Sequence, residues 1–437
     1  MENKIKILLV SNILGIGGAE RTVQTIALYL NRALFDVTVL CLEIGGGRVA
    51  ALQAAGIPVL IGDGTLEAAK KLVAPGEYDV VHFHRSGHTE PLHTELVKYL
   101  RPAKLMETNV FAFADPVLGP GFDLRIYKSL MMLTQRAWRA RALDASARPW
   151  RQERVIYNPV TVDYFDIFKL TPEERRAKRH RLGITDGDIV IGRNGRNDPV
   201  KWGDLLLAAL PSMFKKIPNL KCILQTIPAS RRAFFERHNY FDNRVIVLPE
   251  TSDESDIAAT YQLLDIYVHT SRRGEAFGNS LNEAMVWGLP IIVENTPHWD
   301  NGQMEQVDHG VTGWVVKSAA GLASALEDLV ARPERRTAFG AAGRKKVTTE
   351  FGLARGLEQY ELAYQQLVGQ VSEPDLERRM FPSPAAIIHY AAEYKRHARQ
   401  DFPHAFKPLL TARSWCVRWH WRVYDSLQAR GFIKKSV

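Results

Sequence analysis

Cysteine and long apolar runs are both scarce in this chain of 437 residues. Its three cysteines, Cys41, Cys222 and Cys416, are far apart in sequence and odd in number. They argue against a disulfide framework or a zinc cluster and favour a reducing compartment. No run of about 18 apolar residues occurs, so we expect no membrane-spanning helix. The first residues lead into a strand-like run without a signal-peptide pattern. These absences predict a cytoplasmic protein.

Most of the chain carries no net charge. The net charge of the whole sequence is +9, and residues 378–437 alone hold 12 Lys/Arg against 3 Asp/Glu, so residues 1–377 are neutral. A neutral body makes a nucleic-acid binder the least favoured interpretation. The basic, Trp-rich tail has two open interpretations. It contacts an anionic surface on the inner face of the cytoplasmic membrane, or it packs on the first domain.

Short β-rich runs alternate with helical patterns, and the alternation starts twice, near residues 6–11 and near 188–193. This pattern predicts an α/β protein of two doubly wound domains, each with a parallel sheet covered on both faces. Ligands bind outside the carboxyl ends of such strands, which predicts a central cleft there. We place an N-terminal domain, a second domain, a returning helix and a helical extension at residues 1–165, 166–350, 351–371 and 372–437.

Two carboxylates, Glu275 and Glu283, lie eight positions apart around Gly278 and the predicted start of a helix at Asn279 or Ser280. A glycine permits a tight turn or close approach of the backbone. The first amides of a helix are unpaired and carry the positive end of its dipole, so they can face phosphates. A carboxylate in that helix can accept hydrogen bonds from both ribose hydroxyls. Ser280 and Glu283 equally match a capping box, which needs no ligand.

Two cations, Arg196 and Lys201, follow the first strand of the second domain and precede a helix. A departing diphosphate needs such cations because it gains negative charge. A solvated basic loop is the alternative for either residue alone. Their place in the same domain as a phosphate-facing helix favours the diphosphate.

In the first domain, His82 and His84 end a strand and share one side of it. We expect His82 to be packed inside the protein. A metal site made with His88 is disfavoured, because no carboxylate or cysteine at ligand spacing completes it. Gly17 and Gly18 lie between the first strand and its helix. They form a tight turn, a place of close approach for a phosphate, or both.

Five segments, in order along the chain, resemble the signatures of retaining glycosyltransferase family 4, whose members have the GT-B fold. They are Gly-Gly-Ala-Glu-Arg at 17–21, Tyr-Asn-Pro-Val-Thr-Val-Asp at 157–163, the Arg196 and Lys201 pair, Glu-Ala-Phe-Gly-Asn-Ser-Leu-Asn-Glu at 275–283, and the stretch 301–316. The likeness covers roughly residues 4–370. It implies two Rossmann-like domains that face a central cleft.

The resemblance also implies roles for residues. Arg196 and Lys201 would bind the donor diphosphate, Glu283 the ribose, and Glu275 the reacting side of the transferred sugar, with His84 beside the reaction centre. Further contacts would come from Ala276, Phe277 and Gly278 to the sugar, from Asn279, Ser280 and Leu281 to the diphosphate, and from the Gly17 and Gly18 loop.

The implied activity is retaining transfer of a hexose-type unit from a UDP- or GDP-sugar to a hydroxyl of a glycan or lipid-linked acceptor. No metal cofactor is implied, and the pathway would be cell-envelope polysaccharide or lipopolysaccharide synthesis. Residues 110–155 bear little family likeness, and Asn158-Pro159 replaces the usual Asn-Gly pair. A nucleotide-sugar epimerase on the same fold and a catalytically silent sugar-nucleotide-binding scaffold stay open as alternatives. Dependence of nucleotide release on an acceptor, and turnover itself, would distinguish them.

Overall fold

The structure of the protein is a computed structural model. It describes residues 4–392 apart from 16, 112–114, 116–117, 119–120, 140–151, 163–165, 196, 242–243, 252, 272, 297–299, 381, 384–385, 388 and 391. These residues form two compact units. The first unit combines the residues up to Leu14 with Asn31–Val155 and those from Leu362 onward, and the second combines Gly15–Leu30 with Ile156–Glu361.

A parallel sheet of seven strands forms the first unit. Its strands in chain order are β1 (Ile5–Ser11), β2 (Phe35–Cys41), β3 (Val59–Ile61), β4 (Val80–Arg85), β5 (Lys104–Asn109), β6 (Leu124–Tyr127) and β7 (Glu153–Val155). Their order across the sheet is β3-β2-β1-β4-β5-β6-β7. The helices between them are α2 (Val49–Ala54), α3 (Leu66–Leu72), α4 (Pro91–Tyr99) and α5 (Leu130–Arg139), and α1 (Gly18–Tyr29) belongs to the second unit.

Apolar residues in near-continuous runs explain the first sheet. In β1, Ile7, Leu8, Leu9 and Val10 are all essentially buried. A strand covered on both faces cannot alternate apolar with polar side chains, so its sequence reads as an unbroken apolar run. Leu8 and Val10 pack in one core cluster with residues of the helices on that face, such as Leu96.

The second unit repeats the design with six parallel strands. They are β8 (Ile189–Arg193), β9 (Leu220–Gln225), β10 (Val245–Leu248), β11 (Ile266–His269), β12 (Ile291–Glu294) and β13 (Gly313–Val316), in the order β10-β9-β8-β11-β12-β13. Its helices are α6 (Pro172–Arg181), α7 (Asp204–Lys216), α8 (Ala229–Arg237), α9 (Glu254–Gln262), α10 (Asn279–Val286), α11 (Gln303–Gln306), α12 (Ala319–Ala331) and α13 (Pro333–Glu350). The last two described helices of the chain are α14 (Leu353–Leu367) and α15 (Glu373–Arg379).

Strand order in the second unit determines where a ligand can bind. β8 is paired with β9 on one side and with β11 on the other, so the order in which successive strands are added to the sheet reverses beside β8. Doubly wound sheets bind ligands in the crevice at the carboxyl ends of the strands at such a switch point. The loops after β8 and β11 are therefore the expected place for a site.

The prediction of two doubly wound parallel sheets is confirmed. Most of the predicted C-terminal extension, residues 393–437, lies outside the described residues. Among the helices that the structure describes, none combines the length and the apolar composition needed to cross a bilayer.

Candidate functional site

Lys201 and Glu275 meet at the switch point of the second unit. Lys201 ends a turn of 3-10 helix after β8, and Glu275 lies in the loop after β11. The Lys201 Nζ atom is 2.6 Å from Glu275 Oε2, and His269 Nε2 is 3.2 Å from Glu275 Oε1. Burial by itself would raise the pKa of Glu275, but Lys201 and the His269 hydrogen bond hold that pKa well below its ordinary value. The Glu275 side chain is 13% exposed and ionised.

Arg193 lies close to the Lys201–Glu275 pair and binds the backbone of both loops. No role was assigned to it from the sequence alone. Its side chain is buried at the end of β8, with the guanidinium over the Trp202 ring. It donates to the carbonyl of Thr270 at 2.6 Å and to the carbonyl of Lys201. Burial lowers the pKa of Arg193, while the charge of Glu275 favours its cationic form. Arg193 thus ties the loop after β8 to the loop after β11.

Helix α10 begins beside Glu275 as predicted, at Asn279. Its N-cap is Gly278, which supplies no side-chain cap. Gln306 binds both backbone groups of Gly278: its Oε1 accepts from the amide at 2.9 Å, and its Nε2 donates to the carbonyl at 2.9 Å. The amides of Asn279 and Ser280 have no hydrogen-bond partner within the described ranges. They are available to an anion at the positive end of the helix.

The capping-box interpretation of Glu283 is wrong. Glu283 lies in the second turn of α10, and its carboxylate is bound by residues of two other helices. Arg21 Nη1 donates to Oε1 at 2.6 Å, and the Tyr261 hydroxyl donates to Oε2 at 2.7 Å. Arg21 also pairs with Glu254 at 3.1 Å. Ser280 instead hydrogen-bonds with the phenol of Tyr267.

The left-handed turn in this loop occurs at Gly274 and not at Gly278. Gly274 has a φ of 65°, whereas Gly278 has an ordinary φ of −82°. Close approach is required at Gly18, the first residue of α1, where a Cβ atom would lie 2.7 Å from Asn279 Nδ2. Asn158 Nδ2 donates to Asn279 Oδ1 at 2.9 Å. These contacts bring the predicted N-terminal glycine loop against the start of α10.

The other predicted contact residues of this loop are mostly packed inside the unit. Phe277 stacks on Tyr157 with 5.4 Å between ring centroids and contacts Phe351 edge-on at 5.3 Å. Leu281 is fully buried, and Ala276 is half-buried. Their side chains therefore shape the loop, which leaves polar contacts to its backbone.

A second carboxyl group, that of Glu294 beside Gly203, was missed by sequence reasoning. Glu294 ends β12, and its Oε2 atom is buried without a hydrogen-bond partner in the part of the chain that the structure describes. Burial raises the pKa of Glu294 to about 7, assisted by Asp204 and opposed by the Ser271 amide and by Arg193. Its position at the end of a strand could have pointed to it, but a single Glu there forms no recognisable motif with other residues.

The two histidines of β4, His82 and His84, differ in their hydrogen bonding. His82 is buried and hydrogen-bonded with the Tyr364 hydroxyl and with Thr108 Oγ1, both at 2.7 Å, and burial lowers its pKa to about 3. The expectation that His82 is packed is confirmed. His84 is 5% exposed, and neither ring nitrogen has a partner among the described residues. Burial also lowers the pKa of His84 well below its ordinary value, so its imidazole is neutral.

Some predicted residues are not covered. Arg196 lies outside the described residues, as do most of 112–120 and all of 140–151. Within the described ranges, no group of three or more His, Cys, Asp or Glu is arranged to hold a metal ion.

Comparison with known proteins connects this site to a family. Residues 174–346 match the family model described as glycosyl transferases group 1. A GDP-mannose-dependent monoacylated alpha-(1-6)-phosphatidylinositol monomannoside mannosyltransferase of Corynebacterium glutamicum is 30% identical, over 44% of this chain and 51% of the relative. A D-inositol 3-phosphate glycosyltransferase of Segniliparus rotundus is 27% identical, over 41% of this chain and 40% of the relative. The chain thus spans about half the length of the curated relatives it matches.

Solved structures resemble a larger part of the chain. A glycosyltransferase from Rickettsia africae has a TM-score of 0.69 at 20% identity, covering 84% of this chain and all of that one. Anabaena Alr3699/HepE in complex with UDP has a TM-score of 0.65 at 19% identity, covering 83% of this chain and all of that one. Identity this low shows the fold alone, and the predicted GT-B fold is confirmed.

Proposed function

We propose that this protein transfers a sugar from a nucleoside diphosphate sugar to a hydroxyl group, because residues 174–346 match the family model of the glycosyl transferases group 1. The names of relatives and neighbours support a UDP- or GDP-linked donor: one relative is GDP-mannose-dependent, and one neighbour was solved with UDP-glucose. The acceptor is proposed to be a glycan or a lipid-linked molecule, in cell-envelope polysaccharide or lipopolysaccharide synthesis.

The observation that carries the proposal is the Lys201–Glu275 ion pair beside the start of α10. A cation, an ionised carboxylate and two helix amides that have no partner among the described residues follow the carboxyl ends of strands of one sheet. Lys201 and the amides of Asn279 and Ser280 suit a diphosphate. Glu275 accepts hydrogen bonds from hydroxyls of the transferred sugar. Arg196 is proposed, on the family resemblance, to add a second cation.

The proposed reaction retains the configuration of the sugar. The bond from the anomeric carbon to the leaving phosphate oxygen breaks, and a bond to the acceptor oxygen forms on the same face. The acceptor proton passes to the leaving phosphate. Lys201 and the helix amides stabilise the negative charge that the phosphate gains, so no metal cofactor is proposed. His84 is proposed to hydrogen-bond to the donor sugar or phosphate as a neutral imidazole.

Replacement of Glu275 tests the function. Glu275→Ala is expected to reduce transfer by about 100-fold or more, because a fixed polar group at the reacting sugar is lost. Affinity for UDP or GDP should change little. Glu95→Ala, at an exposed helix position in the first unit, is the matched control and should leave both unchanged. Full transfer by Glu275→Ala would contradict the assignment.

Two controls separate the alternative functions. Release of the nucleoside diphosphate without any acceptor would favour an epimerase, and absence of turnover with every UDP- and GDP-sugar would favour a silent scaffold. Peripheral membrane contact by the basic residues 378–437 is also a proposal, supported by their composition. Deleting them should weaken sedimentation with anionic liposomes, and unchanged sedimentation would contradict this part.

A further inference from the structure

Each carboxylate oxygen of Glu283 accepts one hydrogen bond from a side chain of another helix. Arg21 binds Oε1 at 2.6 Å from the first turn of α1, and Tyr261 binds Oε2 at 2.7 Å from the end of α9. The Glu283 side chain is only 12% exposed. A glutamate on a helix surface samples several rotamers, whereas this one is held in a single orientation by two helices.

The Glu283 carboxylate can accept more hydrogen bonds than Arg21 and Tyr261 donate to it. An ionised carboxylate has about four acceptor positions, two on each oxygen. Arg21 and Tyr261 occupy one position on each oxygen, so among the residues that the structure describes one remains open on each. These two acceptor positions fit a vicinal diol, which presents two hydroxyl donors side by side.

Both donors are themselves constrained. Arg21 Nη2 pairs with Glu254 at 3.1 Å, so the guanidinium is fixed between two carboxylates. Tyr261 is buried, and burial together with the charge of Glu283 raises its pKa well above the ordinary value. Its hydroxyl therefore keeps its proton and stays a donor. The carboxylate cannot rotate away without leaving one of these groups unsatisfied, which is costly when buried.

A small recess adjoins the carboxylate within the second unit. This recess is lined mainly by polar residues of α1 and α10, and by the segment 158–161, which includes the apolar Pro159 and Val160. Among them, Asn282 is fully buried, and its Nδ2 atom has no hydrogen-bond partner in the described part of the chain. Asn282 and Glu283 thus line the same recess.

We propose that Arg21 and Tyr261 are positioning residues that orient Glu283 for both ribose hydroxyls of the donor and so select ribonucleotides over 2′-deoxyribonucleotides. This inference rests on the proposed nucleoside diphosphate sugar donor. Losing either positioning group frees the carboxylate to bind one hydroxyl in varied orientations. The preference for a complete diol then falls, even where the nucleotide still binds.

The test compares UDP with 2′-deoxy-UDP, and GDP with 2′-deoxy-GDP, by calorimetry on the full chain. For the base that the wild type binds, we expect about tenfold tighter binding of the ribonucleotide, since the missing hydroxyl leaves a buried acceptor unpaired. Tyr261→Phe and Arg21→Ala should reduce that ratio to about twofold. Arg21→Lys should restore part of it, because an ammonium still donates to Glu283.

Controls distinguish positioning from loss of fold. Tyr240→Phe, which changes a half-buried phenol elsewhere in the same unit, should keep the wild-type ratio. Pyrophosphate, which has no ribose, should bind the two test variants as it binds the wild type. An unchanged ribose-to-deoxyribose ratio in both Tyr261→Phe and Arg21→Ala would overturn the positioning role alone. Failure of the wild type to bind either UDP or GDP would overturn the proposed function, and this inference with it.

Discussion

Lys201 and Glu275 form an ion pair of 2.6 Å in which neither side chain is more than 26% exposed. Removing Lys201 leaves a largely buried carboxylate uncompensated, which typically destabilises a fold by about 3 kcal/mol. Lys201→Met is therefore expected to lower the free energy of urea unfolding at pH 7 by about 2–3 kcal/mol. The double variant Lys201→Met/Glu275→Gln should recover most of that loss.

The matched control for this pair is the exposed ion pair between Lys98 and Glu95, which has a similar length of 2.7 Å. Lys98→Met should cost less than about 0.5 kcal/mol, because surface ion pairs contribute little. Equal losses for Lys98→Met and Lys201→Met would show that the Lys201 pair is no more important to stability than a surface contact.

Thr226 stores backbone strain at the carboxyl end of β9. It has a φ of 60°, which a β-branched residue rarely adopts, and its buried Oγ1 has no partner in the described ranges. Thr226→Gly removes both costs and should raise the free energy of unfolding by about 1 kcal/mol. Asn239→Gly is the control, since Asn239 also has a positive φ of 53° but asparagine tolerates it. A gain at Asn239 as large as at Thr226 would contradict the strain argument.

Glu294 should make stability depend on pH near neutrality. Its pKa in the folded protein is about 7 against an ordinary 4.5. The folded state therefore keeps a proton that the unfolded state loses between these values, and stability falls as pH rises from about 4.5 to 7. Glu294→Gln should remove this fall. The difference in unfolding free energy between variant and wild type should grow to about 2 kcal/mol above pH 7, allowing for partial exposure.

Thermal melts of both proteins at several pH values from 4.5 to 8 measure this difference. Glu327→Gln, at an exposed helix position, should give a difference that is flat across the range. A flat difference for Glu294→Gln as well would mean that Glu294 is ionised in the folded state throughout.

Gly274 combines a left-handed backbone with no room for a side chain. Its φ is 65°, and a Cβ atom would collide with the carbonyl oxygen of Asp300. Gly183 has a similar φ of 72° with open space around it. Gly183→Ala should cost about 1 kcal/mol from the backbone alone, and Gly274→Ala should cost at least about 3 kcal/mol. Chemical denaturation of both variants measures the contrast, and similar costs would rule out the collision as the cause.

The parallel strands were predictable because burial on both faces leaves a continuous apolar run. The run at 265–269 predicts a strand there, which differs by one residue from β11 (Ile266–His269), and the site residues at its end followed from the rule that ligands bind at the carboxyl ends of strands. Glu275 and Lys201 were found in this way, since their chemistry and their strand-end positions coincide. The roles assigned to them stay predictions.

The partners of Glu283 were not predictable. Ser280 lies three positions away and fits a local capping pattern, whereas Arg21 lies 262 positions away. Sequence spacing reveals neighbours within one helix, but it does not reveal which distant helix packs against it. Arg193 and Glu294 were missed for a related reason, because burial and the shape of loops determine their interactions.

Gln306 binds the amide and the carbonyl of Gly278 with one side chain. Two hydrogen bonds therefore connect the start of α10 to α11, which lies 28 positions further along the sequence. Local opening of this loop has to break both bonds, so the Gly278 amide should exchange its hydrogen with solvent more slowly than a loop amide without such a partner. Although it lies in a connecting segment, the start of α10 is expected to be more protected from exchange than an ordinary loop, because its opening is coupled to a side chain of α11.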